Sequence, residues 1–262
     1  NTKNNKKYIV EVINMLTEER QAIILDQVNK NRSVKISELC EMLNSSVSTI
    51  RRDLCCLADM GKLVKVHGGA IAVDSKFTHI ERNVEEKTHL FMEEKTAIAE
   101  YAATLVEDGD FIFIDAGTTT QKLIDFLPEK EVTYVTNGFI HAKKLAERNF
   151  KVYIPGGEIK LLTEAVVGAD CVMTLNSYNF SKCFIGTNGI SISSGYTTPD
   201  VREARVKKSV VGRSAKAYIL ADHSKFGNIT SVTFASLGNA DIITDMLPDE
   251  RYVAYTSVKE VM

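Results

Sequence analysis

The chain has 262 residues, of which 44% are hydrophobic and 25% charged, and its formal net charge is −2. That length is sufficient for one large or two modest domains, each with its own core. The sequence contains no apolar run near the roughly 20 residues that cross a membrane, so we expect a soluble globular protein without a membrane partner.

The cysteines argue against a structural role for disulfides or metals. There are five of them, an odd number, and none forms a C-x-x-C pair. A disulfide or zinc framework therefore has little support, and a reducing cytoplasm is the compartment that fits best. Cys55 and Cys56 are adjacent on a predicted helix and point about 100° apart, so they cannot bind one metal ion together.

The first quarter of the chain differs from the rest in charge. Residues 1–70 carry 11 Lys and Arg against 8 Asp and Glu, whereas the remainder has a net charge of −5. A basic segment on an acidic body indicates a polyanion partner for that segment. Residues 1–14 have too short an apolar part for a secretory signal, and we interpret them as a disordered leader or tag.

Residues 15–72 have the pattern of a small helical domain that ends in a hairpin. Two short amphipathic segments separated by a polar turn predict a helix-turn-helix over about residues 34–53. Ser37 can cap the first helix, and Ser46 or Ser48 can cap the second. The side chains expected to face inward are Leu39, Met42 and Leu43 on the first helix and Val47, Ile50, Leu54 and Leu57 on the second.

The outer face of the second helix and the hairpin after it carry groups that can bind DNA. Gly61 ends the helix, and the alternating "KLVKVHGGAI" predicts a basic hairpin, or wing. Hydroxyl and guanidinium groups reach base edges and phosphates when a helix enters the major groove. The predicted DNA-binding residues are Ser46, Ser48, Thr49, Arg51, Arg52, Lys62, Lys65 and His67. The alternative is a plain helical bundle with solvated arginines.

Residues 73–95 are dense in charge and weakly periodic, which predicts an exposed linker without a core of its own. From residue 96 to residue 262, strand-like and helical segments alternate. This pattern predicts an α/β domain with a mostly parallel sheet. The strand-like runs are 111–114, 133–136, 151–155, 183–186, 217–221, 231–236 and 241–244. Ligands bind at the carboxyl ends of strands in such sheets.

The segment "DAGTTT" after the first of these strands predicts a phosphate site. Backbone N–H groups at a helix start attract anions, Gly117 allows close approach, and threonine hydroxyls donate further hydrogen bonds. Lysines can add charge, although a solvated helix face is the alternative for Lys207, and acids and amides suit sugar hydroxyls. The predicted effector-binding residues are Asp115, Gly117, Thr118, Thr119, Thr120, Asn137, Gly138, Asn188, Glu203, Lys207 and Lys225. A plain capped turn is the alternative for residues 117–120, and structural capping is the alternative for Asp115, Asn137, Asn188 and Glu203.

Both halves of the chain resemble one family. "TIRRDL" followed by "HGGA" is similar to the winged helix-turn-helix of DeoR-type bacterial regulators, and "DAGTTT", "FIGTNGI", "GYTTPDVREARVK" and "DHSKFG" are similar to their effector domain. The resemblance implies a fold like ribose-5-phosphate isomerase and glucosamine-6-phosphate deaminase. It also implies repression of a sugar operon. "MLTEER" and "GYTTPD" look most like fructose-operon repressors, whose expected effector is fructose 1-phosphate.

The competing interpretation is an enzyme, because the implied fold relatives catalyse sugar-phosphate isomerisation. That reaction requires a base, and the related isomerases place acids where this chain has Thr187 and Asn188. Asp115, Glu203, Asp222 and His223 remain as candidate bases. We expect no catalytic residue, metal or cofactor, and a homodimer or homotetramer that leaves operator DNA when a phosphosugar binds. An isomerase-like enzyme with an accessory DNA-binding domain, or an activator responding to another phosphosugar, are the alternatives.

Overall fold

A computed structural model describes residues 16–31, 33–60, 62–66, 68–72, 76–77 and 83–262. The chain divides into two compact units, one ending at Asp74 and one beginning at Ser75. The predictions for residues 1–14, for Gly61 and for His67 lie outside the described residues. Within the described ranges, no helix is long and apolar enough to cross a membrane.

The first unit combines helices with a small antiparallel sheet. Its elements are α1 (Thr17–Asn31), β1 (Ser33–Lys35), α2 (Ile36–Met42), α3 (Val47–Asp59), β2 (Leu63–Val66) and β3 (Gly69–Ala72). The strand order is β1-β3-β2, so the predicted basic hairpin forms and gains a third strand. A helix-turn-helix followed by such a hairpin is the winged architecture that the sequence predicts.

The predicted core of the first unit is right for most positions and wrong for two. Leu39, Ile50, Leu54 and Leu57 are buried, whereas Met42 and Val47 are 51% and 47% exposed. Both exposed residues lie at helix ends, Met42 at the last position of α2 and Val47 at the first of α3. At an end, helical spacing alone does not determine which side chains the core covers.

Of the caps predicted for the two helices, the one on α3 forms and the one on α2 does not. Ser46 caps α3, since its Oγ accepts the Thr49 N–H at 3.2 Å. Ser37 does not cap α2, because the helix begins at Ile36, directly after β1 ends, and Ser37 lies inside its first turn. The Glu38 carboxylate instead accepts the N–H of Lys35 at 3.1 Å.

The second unit is built on a parallel sheet. Its elements are β4 (Lys76–Phe77), α4 (Val84–Thr88), α5 (Met92–Thr104), β5 (Phe111–Ile114), α6 (Thr118–Phe126), β6 (Thr133–Thr136), α7 (Phe139–Glu147), β7 (Lys151–Tyr153), β8 (Glu158–Lys160), β9 (Ala165–Val167), α8 (Ala169–Asn176), β10 (Phe180–Gly186), β11 (Gly189–Ser191), β12 (Gly195–Thr198), α9 (Val201–Gly212), β13 (Ser214–Leu220), β14 (Asn228–Ile229), β15 (Val232–Ala235), β16 (Asp241–Thr244) and β17 (Val258–Glu260). Short 3₁₀ helices span His223–Lys225, Leu237–Asn239 and Glu250–Ala254.

The strand order of the main sheet is β17-β16-β13-β10-β5-β6-β7, and every neighbouring pair is parallel. The chain first fills one side of β5 with β6 and β7, and then fills the other side from β10 outward. The direction of winding therefore reverses between β5 and β10. The crevice at the carboxyl ends of such a pair is where open α/β sheets bind ligands.

Helices cover both faces of this sheet, which explains the unbroken apolar runs in its strands. In β5, Phe113 packs into a core with α8 and α9, whereas Ile112 and Ile114 pack into the opposite core with α5 and α6. A strand that is buried on both faces reads as a continuous apolar run. The predicted strand at 231–236 behaves differently, because β15 joins a separate antiparallel sheet with β11 and β12.

A buried ion pair joins two helices of the first unit. The Asp53 carboxylate on α3 lies 2.5 Å from Arg20 Nε and 3.1 Å from Arg20 Nη2, both on α1. Gln21 Nε2 donates to the same carboxylate at 3.3 Å. Asp53 is only 3% exposed, so these donors replace the water that the carboxylate loses.

We expect Asp53→Ala to destabilise the first unit by about 3 kcal/mol, because it removes the buried carboxylate that accepts from Arg20 Nε and Nη2. Asp26→Ala removes an exposed acid from α1 and should change the stability by less than about 0.5 kcal/mol. Amide hydrogen exchange of α1 and α3 in the full chain measures both effects. Equal protection in the two variants would contradict the importance of the pair.

Candidate functional site

A cavity of about 400 Å³ opens at the carboxyl ends of β5, β10 and β13. Its position at the reversal of the sheet is the one expected for a ligand site in this architecture. Eight of the predicted effector-binding residues line it: Asp115, Gly117, Thr118, Thr119, Asn188, Glu203, Lys207 and Lys225. The other three predicted residues, Thr120, Asn137 and Gly138, lie outside the lining.

The start of α6 presents backbone donors to this cavity. The N–H groups of Thr118 and Thr119 have no backbone acceptor among the described residues. The helix dipole adds partial positive charge at the same place. Thr120 is buried and shapes the turn, since its hydroxyl lies 2.6 Å from the Asp115 carbonyl and accepts the Gly117 N–H at 2.9 Å. This first turn of α6 can therefore bind an anion.

Asn137 and Gly138 support the turn from behind. Asn137 Oδ1 accepts the Ala116 N–H at 3.1 Å, and its amide nitrogen donates to the Val166 carbonyl at 3.3 Å. A Cβ on Gly138 would lie 2.4 Å from His141 Nδ1, so this position has no room for a side chain. Both residues thus have a structural role behind the turn, which for Asn137 agrees with the alternative stated above.

His141 is a supporting residue that the sequence reasoning missed. Its Nε2 lies 3.0 Å from the Gly117 carbonyl and 3.3 Å from Thr120 Oγ1. Burial lowers the pKa of His141 to about 4, so the ring is neutral at pH 7 and donates from Nε2 to the carbonyl. The only sequence signal was a histidine three residues after Gly138 at the start of α7.

Asp115 and Lys207 form a buried ion pair across the β5–β10 crevice. The Lys207 ammonium contacts Asp115 Oδ2 and also donates to the Gly186 carbonyl at 2.9 Å. Asp115 Oδ2 accepts the Gly186 N–H at 3.0 Å. Lys207 is 6% exposed, so the alternative of a solvated helix face for this residue is wrong.

A second charged cluster closes the cavity on the side of the β8–β9 hairpin. Glu203 Oε1 accepts from Lys160 Nζ at 3.0 Å and from Thr163 Oγ1 at 2.6 Å. Burial opposes ionisation of Glu203, but the charge of Lys207 and the hydrogen bond from Thr163 outweigh it and hold the pKa of Glu203 below its usual range. Glu203 is therefore ionised and hydrogen-bonded to Lys160 and Thr163. Because its pKa is lowered, it is a weak base.

The segment predicted as a linker contributes to the cavity wall. Lys87, Leu90, Phe91 and Lys95 all line it. Burial lowers the pKa of Lys95 to about 8, while the carboxylate of Asp222 acts in the opposite direction. The missed signal was a lysine on the apolar face of α5, one turn before Ile98 and Ala99.

Among the described residues, one cluster has the composition of a metal site. Glu94, His223 and Asp245 each place a ligand atom within 4.8 Å of the other two. His223 Nδ1 and Asp245 Oδ2 already lie 2.6 Å apart, and Asp245 Oδ1 accepts the His223 N–H at 2.7 Å. These hydrogen bonds fix the turn that carries Lys225 without any ion.

Of the predicted DNA-binding residues, most of those that the structure describes are exposed on the first unit. Ser48, Arg51, Arg52, Lys62 and Lys65 are exposed, and Thr49 is partly buried. The first turn of α3 carries no acid that would repel DNA. The Ser46 hydroxyl is occupied by the Thr49 N–H, and Lys65 Nζ lies 3.0 Å from Cys55 Sγ.

Comparison with known proteins places both units in one family. The DeoR-like helix-turn-helix domain matches residues 20–76, and the DeoR C terminal sensor domain matches residues 90–246. The uncharacterized HTH-type transcriptional regulator FruR of Bacillus subtilis (strain 168) is 43% identical over 251 residues, which cover 94% of this chain and 99% of that protein. The chain belongs to the DeoR family. The predicted family is thereby confirmed.

A second relative of this DeoR-family chain is named as a repressor. The lactose phosphotransferase system repressor of Staphylococcus epidermidis (strain ATCC 12228 / FDA PCI 1200) is 37% identical, covering 88% of this chain and 94% of that protein. Both relatives are named as regulators or repressors and neither as an enzyme, which supports the expected regulator over the enzyme alternative. Ribose 5-phosphate isomerase A of Methanocaldococcus jannaschii shares 17% identity at a TM-score of 0.40, covering 54% of this chain and 56% of that one.

The buried His141 should make the second unit sensitive to acid. Its folded pKa of about 4 lies below the ordinary value of 6.5, so its contribution is complete above pH 6.5 and falls as the pH drops toward 4. That loss amounts to about 3 kcal/mol. Urea unfolding from pH 7 to pH 4 should show this additional loss in the wild type relative to His141→Gln. Identical pH dependence in both proteins would contradict the assignment.

Proposed function

We propose that this DeoR-family protein is a cytoplasmic repressor of a sugar uptake or catabolic operon, and that it leaves its operator when a phosphorylated sugar occupies the cavity. The proposal rests on one observation: the start of α6, with its backbone N–H donors, and several lysines line the same cavity. A phosphate is the ligand group that such donors suit. The similarity to the lactose phosphotransferase system repressor of Staphylococcus epidermidis adds support for repression.

The cavity offers separate groups for the phosphate and for the sugar. The Thr118 and Thr119 N–H groups and the Lys225 ammonium are our candidates for the phosphate. The Glu203 carboxylate and the Asn188 amide, on residues that also line the cavity, suit hydroxyl groups. Fructose 1-phosphate is our first candidate effector, because "MLTEER" and "GYTTPD" resemble fructose-operon repressors.

On DNA, we propose that the first turns of α3 enter the major groove and that the hairpin contacts the flanking backbone. A homodimer or homotetramer would place two copies of α3 on half-sites one or more helical turns apart. Each bound ligand typically contributes about 1–3 kcal/mol of coupling, so several occupied sites together give a firm switch.

The arginines of α3 provide a direct test of the DNA interface. Arg51→Ala combined with Arg52→Ala should weaken operator binding about 100-fold or more, because each such contact is worth about 1–3 kcal/mol. Lys30→Ala, which removes an exposed charge at the end of α1, is the matched control. Fluorescence anisotropy with a DNA site selected from a random pool measures the affinity. An unchanged affinity of the double variant would refute the groove assignment.

Thr119→Val tests the phosphate assignment with little change in shape. The substitution removes the hydroxyl of a residue that lines the cavity, which we expect to donate to the phosphate beside the N–H groups, and phosphosugars should bind about tenfold more weakly. A thermal-shift screen of sugar phosphates identifies the ligand, since binding to the folded state raises its stability. Thr104→Val, on the exposed end of α5, is the control and should bind like the wild type. DNA binding should be equal in all three proteins.

A further inference from the structure

Six large apolar side chains are exposed on adjoining segments of the second unit. They lie at the start of α7, at the end of β7, on β8 and in the turn after it, and together they form the apolar patch: Phe139, Tyr153, Ile154, Ile159, Leu161 and Leu162. The Phe139 N–H donates to the Glu164 carbonyl at 2.9 Å, and α7 packs against β7, so these segments are held together. Single exposed apolar residues are ordinary, but a group of this size marks an interaction surface.

Polar contacts on the inner side of the β8–β9 hairpin keep the apolar side chains outside. Successive side chains of a strand point to opposite faces, and here Ile159 is exposed while Lys160 Nζ donates to Glu203 Oε1 at 3.0 Å. Leu161 is 86% exposed, and Thr163 Oγ1 then donates to the same carboxylate at 2.6 Å. A shift of the hairpin that buried Ile159 and Leu161 would break both contacts. The exposure of the patch is therefore a fixed feature of the fold.

The size of the apolar patch matches one half of a homodimer interface. Its six side chains are 42–86% exposed. A large side chain offers on the order of 150–250 Å² when it is fully exposed, so the patch presents roughly 500 Å² of apolar surface. A standard interface buries about 800 Å² on each partner, and about 65% of that area is apolar in homodimers, which again gives about 500 Å².

The charges beside the patch suit a second copy of the same chain. A two-fold interface is self-complementary, so a surface whose charges have one sign would repel its own copy. Here both signs are present, since Lys151 at the start of β7 and Glu158 at the start of β8 are exposed. Lys151 Nζ lies 5.8 Å from the centroid of the Tyr153 ring, which belongs to the patch. A two-fold axis can therefore place the lysine of one copy opposite the acid of the other.

We propose that a second copy of this chain packs on the apolar patch, which is thus the homodimer interface of the second unit. The inference deepens the proposed function, which requires two copies on one operator, and it names the surface that joins them. Lys160 and Thr163 hold Glu203 at the cavity wall from the same hairpin that carries Ile159 and Leu161. The interface and the cavity therefore share one structural element.

Sedimentation velocity of the full-length chain, over a range of micromolar concentrations and without DNA, tests the interface. The wild type should sediment as a dimer or a larger assembly. Leu161→Glu should raise the dissociation constant of the contact about 100-fold or more, because association would bury an unpaired carboxylate from each copy. Phe139→Glu, on a different segment of the patch, should act in the same way.

Val253→Glu is the matched control, because it adds the same charge at another exposed apolar residue. Val253 is 52% exposed and lies in the 3₁₀ helix Glu250–Ala254, next to β17 at the opposite edge of the sheet from β7. This variant should associate like the wild type. Since all three substituted side chains are exposed, each variant should keep the far-ultraviolet circular dichroism of the folded wild type.

Three outcomes overturn the inference: a wild type that is monomeric throughout, patch variants that both associate like the wild type, or a Val253→Glu variant that dissociates as much as Leu161→Glu. The first outcome also refutes the homodimer within the proposed function. The other two leave that function intact, since the binding of DNA and of phosphosugars is measured separately.

Discussion

The contact between Asp115 and Lys207 is the interaction on which the arrangement of the cavity depends. It joins the end of β5 to α9 across the crevice where the sheet reverses its winding, and Gly186 at the end of β10 bonds to both side chains. Removing one partner of such a buried pair leaves an uncompensated charge and typically costs about 3–5 kcal/mol. The pair therefore fixes the spacing of two strand ends, and the anion-binding turn of α6 starts from one of them.

A second layer of contacts keeps this turn in shape. Thr120 closes it from within, Asn137 holds the N–H of Ala116, and neutral His141 donates to the carbonyl of Gly117. These side chains hydrogen-bond the backbone N–H and carbonyl groups of the turn that face the protein interior. The N–H groups of Thr118 and Thr119 are left to face the cavity, so a rigid turn with two oriented donors follows from the packing behind it.

Much of this could be predicted from the sequence, and the reasons are physical. The apolar run "FIFI" forms β5 over the predicted residues because a strand covered on both faces has no polar position. In the helix-turn-helix, periodicity predicts the buried positions in the middle of α2 and α3 and the Ser46 cap forms, but the predictions at the other helix ends are wrong. Short strands such as those of the β8–β9 hairpin carry three residues each, too few for a period to be visible. His141, Lys160 and Thr163 reach the site through contacts between residues far apart in sequence, which no local pattern encodes.

Lys95 is a residue whose role the sequence pattern does not reveal and the fold does. On a helical wheel it belongs to the apolar face of α5, where a lysine carries a desolvation cost, and burial indeed lowers its pKa to about 8. Asp222 offsets part of that cost, whereas Lys225 and Lys87 add to it. An anion bound beside these lysines would stabilise the charged form of Lys95 and raise its pKa. By linkage, the same anion binds more tightly when Lys95 is protonated. Burial destabilises the protonated form of Lys95, and an anionic ligand would regain part of that free energy when it binds.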